Sequence, residues 1–91
     1  LLITQNLFAQ ATGSLSGTVT DQNDAIVQGA TVTVKNVDTN LTRTAVTNEE
    51  GRWSVQVLPV GKYTINHEKD GFKKAATENV EVEASVPRTV D

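Results

Sequence analysis

His67 is the only histidine in the chain, and so the first residue to weigh for acid–base or metal chemistry. A general base needs a nucleophile and an orienting acid, and a metal ligand needs further donors. On a strand its same-face neighbours are Tyr63 and Ile65, which supply neither, although Tyr63 could donate a hydrogen bond. His67 therefore reads as a partly buried histidine near a strand's end. Asp21-Gln22-Asn23-Asp24 gathers carboxylates and an amide in the manner of a calcium loop. Such a loop needs six to eight oxygens, a sharply turning glycine and a bidentate glutamate, and none of these is in place. The segment reads as an Asx-rich turn, and Asn48-Glu49-Glu50 fails for the same reason. Glu78, Glu81 and Glu83 form an acidic strip, but paired carboxylates hydrolyse glycosides across a cleft, and a convex sheet face offers none. Trp53 and Tyr63 could stack on a sugar, yet both fall on the apolar faces of their strands, where burial wins by several kcal/mol. No catalytic, cofactor-binding or metal-binding residue is expected, and no cofactor.

Composition narrows the function further. The chain has 91 residues and a formal charge of -3. A second core would need roughly 50 more residues, so one domain is expected. The eight Lys and Arg are scattered, with only Lys73 and Lys74 adjacent. Phosphate binding requires a concentrated basic surface, so neither nucleic acid nor an anionic membrane is an expected partner. With no cysteine, thiol catalysis, zinc-thiolate and iron–sulfur sites are excluded, and the fold must rest on its core alone. Val and Thr dominate the apolar and small polar residues; both are branched at Cβ and suit a pleated surface.

The elements that must position these residues have a period of two. Leu15, Gly17 and Val19 alternate with Ser16, Thr18 and Thr20, as on a half-buried strand. Asp21 to Gly29 is a polar connection. Ala30, Val32 and Val34 alternate with Thr31, Thr33 and Lys35. A third strand runs from Leu41 to Thr47, and Asn48-Glu49-Glu50-Gly51 is expected to be a hairpin turn. Trp53, Val55 and Val57 share the inward face of the fourth strand, which Leu58-Pro59-Val60-Gly61 breaks. Tyr63, Ile65 and His67 share one face of the fifth, closed by Glu68-Lys69-Asp70-Gly71. Phe72 to Thr77 is a sixth strand, Val80 and Val82 alternate with Glu81 and Glu83 in a short stretch, and Val86 to Asp91 is a last strand. Glycines at 51, 61 and 71 recur at strand–turn spacing, the mark of a sandwich or barrel. One-sided strands must cover each other's dry faces, which gives an all-β, two-sheet antiparallel sandwich of about seven strands. Trp53, Tyr63 and Phe72 are its expected large core residues.

Residues 1–11 differ from the rest. Leu1 to Ala11 is uncharged, rich in leucine and ends in Ala9-Gln10-Ala11, a small-x-small signal-peptidase pattern. It is too short and too often interrupted to span a bilayer. It reads as a signal-peptide remnant or a disordered or helical tail, with the domain at 12–91 and no direct membrane insertion.

Five pieces stand in order along the chain: Gly17-Thr18-Val19-Thr20-Asp21, Gly29-Ala30-Thr31-Val32-Thr33-Val34, Thr47-Asn48-Glu49-Glu50-Gly51-Arg52-Trp53, Leu58-Pro59-Val60-Gly61-Lys62-Tyr63 and Gly71-Phe72. Together they resemble the carboxypeptidase regulatory-like family over Gly13 to Asp91. The resemblance implies a transthyretin-like (prealbumin-like) sandwich with no catalytic residues to carry over. Trp53 stands where that family usually has Phe or Tyr, and His67 where an aliphatic residue is usual. The alanine-ended leader followed by Gly13-Ser14-Leu15-Ser16-Gly17-Thr18-Val19 is similar to the N-terminal extension of TonB-dependent outer-membrane receptors. That implies a periplasmic or outer-membrane setting in a Gram-negative bacterium and, as partner, another protein or the remainder of a receptor chain. The alternative is a carbohydrate- or surface-binding accessory domain of an exported adhesin or hydrolase. Pilin and adhesin sandwiches that cross-link a first-strand Lys to a last-strand Asn have no counterpart here, because Gly13 to Thr20 lacks Lys and Val86 to Asp91 lacks Asn. Asn40-Leu41-Thr42 is formally a glycosylation sequon, of little meaning in a bacterial-looking protein.

Overall fold

Alternation of Val, Ile and Leu with Thr, Ser and Lys favours strands with one dry face, and seven are present among the described residues. In the computed structural model, which describes residues 11–71 and 74–90, they are β1 (Thr12–Thr18), β2 (Thr31–Asn36), β3 (Thr42–Val46), β4 (Arg52–Pro59), β5 (Gly61–Glu68), β6 (Ala75–Val82) and β7 (Pro87–Val90). They build a three-stranded sheet in the order β4-β1-β7 and a four-stranded sheet in the order β3-β2-β5-β6. The expected all-β sandwich of two sheets is the fold observed. All pairings are antiparallel except β1 with β7, which run parallel, Leu15 opposite Arg88 and Gly17 opposite Val90. Residues 1–10, with most of the leader-like segment, and Phe72 lie outside the described residues.

The inward residues form one cluster: Leu15, Val32, Val34, Trp53, Val55, Leu58, Tyr63, Ile65, Val80 and Val82. Tyr63 is fully buried and its hydroxyl donates to the Pro59 carbonyl at 2.7 Å. A buried phenol needs such a partner, and this one ties β5 of one sheet to the end of β4 in the other. Gly51 closes the β3–β4 turn at φ 73°, where Asn48 Oδ1 accepts the Glu50 and Arg52 amides at 2.9 and 3.0 Å.

Four expectations need correction. Asn48 to Gly51 is not a hairpin turn: β3 and β4 lie in different sheets and do not pair, so this turn carries the chain from one sheet to the other. Val57 does not share the inward face of Trp53 and Val55; it is 68% exposed, and Leu58 fills the core instead. The cause is a bulge: Leu15 faces Val55 and Gly13 faces Leu58, so Gln56 and Val57 together oppose Ser14. Two residues against one rotate the strand and exchange which side chain points in. β4 accordingly runs on through Leu58 and Pro59 rather than breaking there. The separate sixth strand and the short Val80–Val82 stretch are one strand, β6, bulged where Glu78 and Asn79 intervene between Thr77 and Val80, with Asn79 at φ 58°.

Val57 holds φ 57°, a left-handed conformation in which a β-branched residue is an outlier costing about 1–2 kcal/mol. Its side chain buries little in return. Val57→Asn is expected to stabilise the domain by about 1 kcal/mol, since asparagine tolerates this region. A urea titration checks this by a raised midpoint at unchanged slope.

Candidate functional site

Polar residues near strand ends fix the loops that flank the open ends of the sandwich. Asp21 Oδ1 accepts the amides of Asn23 and Ala25 at 2.8 and 3.0 Å, so its carboxylate is committed to an Asx turn. Asn36 is buried, and its Oδ1 accepts the Asp38 and Thr39 amides at 2.9 and 3.0 Å. Thr47 is buried as well; its hydroxyl donates to the Val27 carbonyl at 2.7 Å and accepts the Ala30 amide at 2.8 Å. Asn36 and Thr47 escaped the sequence reading. The available signal was a polar residue ending an apolar strand just before an Asn- or Gly-containing loop.

A cleft of about 600 Å³ lies between the loop after β1 and the far end of β5. Val19, Val27 and Ala30 line it together with His67, Asp21 and Glu68. The structure thus places His67 and two carboxylates on the lining of one cleft, which the alternation pattern does not show, but the chemistry does not assemble. Asp21 is spent on backbone amides. Glu68 pairs with Lys74 at 3.4 Å on the exposed surface, and Lys69 donates to the Gln28 carbonyl. Among the described residues no three His, Asp or Glu side chains gather in a way that could hold a metal ion. The cleft contains no hydroxyl or thiol that His67 is shown to activate. Glu81 is exposed while Val80 and Val82 point into the core, so the acidic strip is a solvated face. Trp53 and Tyr63 are 4% and 0% exposed, which removes them as a sugar-stacking surface.

Burial holds the His67 imidazole below its ordinary pKa of 6.5, because desolvation disfavours the charged ring. The unfolded chain therefore takes up this proton at a higher pH than the native one. Stability tied to His67 is complete above pH 6.5 and is lost as the pH falls from there through the native value. Chemical denaturation at pH 7.5 and at successively lower pH should show this slope. His67→Gln should remove that part of it, and an unchanged slope would contradict the assignment.

Outside the cleft, the free face of the three-stranded sheet carries hydroxyls. Ser16 faces Ser54 on one side and Thr89 on the other, with Ser14 and Thr18 along the same row of β1. No helix is long and apolar enough to cross a membrane among the described residues.

Comparison with solved structures places the fold in familiar company. The chain is similar to the Bacillus anthracis TIE protein, with 19% identity and a TM-score of 0.69 over 88% of this chain and 16% of that one. It is similar to a candidate carbohydrate-binding protein of Bacteroides uniformis, with 18% identity and a TM-score of 0.67 over 86% of this chain and 39% of that one. A candidate carbohydrate-binding protein of Pseudomonas aeruginosa matches at 17% identity and a TM-score of 0.55, over 88% of this chain and 86% of that one. The chain spans well under half the length of the first two. Identities this low establish the sandwich and nothing of its use. No curated protein matches the sequence. The carboxypeptidase regulatory-like domain model matches residues 14–91, nearly the whole described sandwich, and the chain belongs to that family.

Proposed function

We propose that the domain is a non-catalytic interaction module of an exported protein, standing on the periplasmic side as the N-terminal domain of a TonB-dependent outer-membrane receptor. One observation carries the first half: the polar side chains best placed for chemistry serve their own backbone. Asp21, Asn36, Thr47 and Asn48 each bind two main-chain groups. A catalytic site keeps converging polar groups in reserve around a reacting atom, and the cleft beside His67 has none assembled. Support for the receptor setting comes from the sequence, where an alanine-ended leader runs directly into Gly13-Ser14-Leu15-Ser16-Gly17.

The reading frame that carries this chain tests the receptor assignment. Beyond residue 91 it should encode a plug and then many amphipathic strands of about ten residues, and the parent protein should fractionate with the outer membrane. A hydrolase or adhesin repeat in that place would reject the receptor and favour an accessory binding domain. The hydroxyl row of Ser16, Ser54 and Thr89 and the two candidate carbohydrate-binding structures support that second reading. Glycan binding lost on Ser16→Val and Ser54→Val would establish it.

A further inference from the structure

Among the described residues each sheet leaves two edges open: β4 and β7 in one, β3 and β6 in the other. An open edge is a row of unpaired amides and carbonyls that invites another strand unless something blunts it. Three of the four are blunted. β4 carries the Gln56–Val57 bulge and ends in Pro59. β6 carries the bulge at Glu78 and Asn79. β7 is four residues long and opens with Pro87. β3 has neither bulge nor proline over Thr42-Arg43-Thr44-Ala45-Val46.

Which backbone groups of β3 face outward follows from its bonds to β2. Pairing is regular, Thr33 opposite Thr44 and Val34 opposite Arg43. Just beyond the two ends, the Asn36 amide donates to Leu41 and the Thr47 amide donates to Ala30, at 2.8 and 3.0 Å. In an antiparallel ladder the residues that bond a given neighbour alternate. Positions 41, 43, 45 and 47 therefore bond inward, while Thr42, Thr44 and Val46 turn their amides and carbonyls to the open edge. The Thr42 carbonyl receives Arg43 Nη1 at 3.3 Å, an exposed contact that a docking strand would displace.

We propose that β3 is a self-docking edge, through which two copies of the chain pair antiparallel and join their four-stranded sheets into one continuous sheet. The strand is complementary to itself about Thr44. A two-fold axis there sets Thr44 against Thr44 of the partner subunit, Thr42 against Val46 of the partner subunit, and Arg43 against Ala45 of the partner subunit. The outward-facing residues are then the ones that meet, giving roughly six backbone hydrogen bonds. Arg43 is the only charge on the strand and meets an alanine, so no like charges oppose each other. Val46, 64% exposed in the single chain, gains cover from the added strand. The inference does not depend on the receptor assignment.

Thr44→Pro is the direct test, since the lost amide points outward and the β2–β3 ladder keeps all its bonds. Sedimentation equilibrium up to about 1 mM should show a monomer–dimer equilibrium for the native chain. For Thr44→Pro association should be at least tenfold weaker, with an unchanged circular dichroism spectrum. Because the chain has no cysteine, Thr44→Cys supplies a second test that needs no proline. Opposed residues of a bonded antiparallel pair have Cα atoms about 5.5 Å apart, within disulfide reach. This variant should oxidise to a covalent dimer at least tenfold faster than Ser54→Cys on the other sheet. A native chain that stays monomeric at every concentration, with equal oxidation of the two cysteine variants, would overturn the proposal. So would a dimer that survives Thr44→Pro undiminished.

Discussion

Trp53→Ala is expected to cost about 3–5 kcal/mol, a large part of the 5–15 kcal/mol that usually separates a folded domain from its unfolded chain. Trp53 is 4% exposed and belongs to the cluster that joins the two sheets. Its indole lies so close to Gly17 that a Cβ there would sit 2.8 Å from Nε1 and 3.1 Å from Cε2. β1 can pass the ring only because position 17 has no side chain. With no disulfide to restrain the unfolded chain, nothing offsets the cavity that alanine would leave. Trp53→Phe should cost less than about 2 kcal/mol, because it also removes an indole N–H that is buried and finds no hydrogen-bond partner among the described residues. Urea midpoints of the two variants check both values. A midpoint for Trp53→Ala near that of the native chain would show that the ring does not bridge the sheets.

Thr47→Val is the second large effect, at about 2–4 kcal/mol despite an almost identical shape. The Thr47 hydroxyl is the partner of the Val27 carbonyl and the Ala30 amide, and it fastens the long connection between β1 and β2 to the end of β3. Valine leaves those two groups facing a methyl in a site that is 3% exposed, and a buried group without a partner forfeits its hydration. Thr47→Ser retains the hydroxyl and should cost less than about 1 kcal/mol. Hydrogen exchange separates this loop effect from a general loss of packing. The Val27 amide, which bonds the Val19 carbonyl at 3.0 Å, should lose protection in Thr47→Val while the amides of β5 keep theirs. Equal loss throughout would mean that the hydroxyl has no local role.

Most of the architecture was legible because period two is a local property. Leu15, Val32, Val34, Trp53, Val55, Tyr63 and Ile65 were all placed inward by alternation, and all are buried. Alternation fails where a bulge intervenes. Nothing in Gln56-Val57-Leu58 favours a left-handed valine; the bulge exists because β4 must keep pairing with β1 while Leu58 reaches the core. The parallel pairing of β7 with β1 was equally invisible, since partner choice depends on distant strands rather than on Pro87 to Val90 themselves. At the candidate site, the Asx turn at Asp21 and a tight turn at Asn48 could be read from residue type, but not that the latter carries the chain from one sheet to the other instead of closing a hairpin. The cleft beside His67 could not, because it arises where two loops from opposite ends of the sequence meet. Thr47 was missed for the opposite reason: a single hydroxyl at a strand's end gives no periodic signal.

The central claim is that the two sheets close on one dry interior, leaving the surface to do whatever the domain does. Trp53 reports on that interior by itself, being the chain's single tryptophan. Acrylamide quenching of its fluorescence is the direct measurement. A shielded ring gives blue-shifted native emission that acrylamide barely quenches until urea unfolds the chain. Solvent-like emission, quenched as readily in the native protein as in urea, would mean that water reaches the space between the sheets.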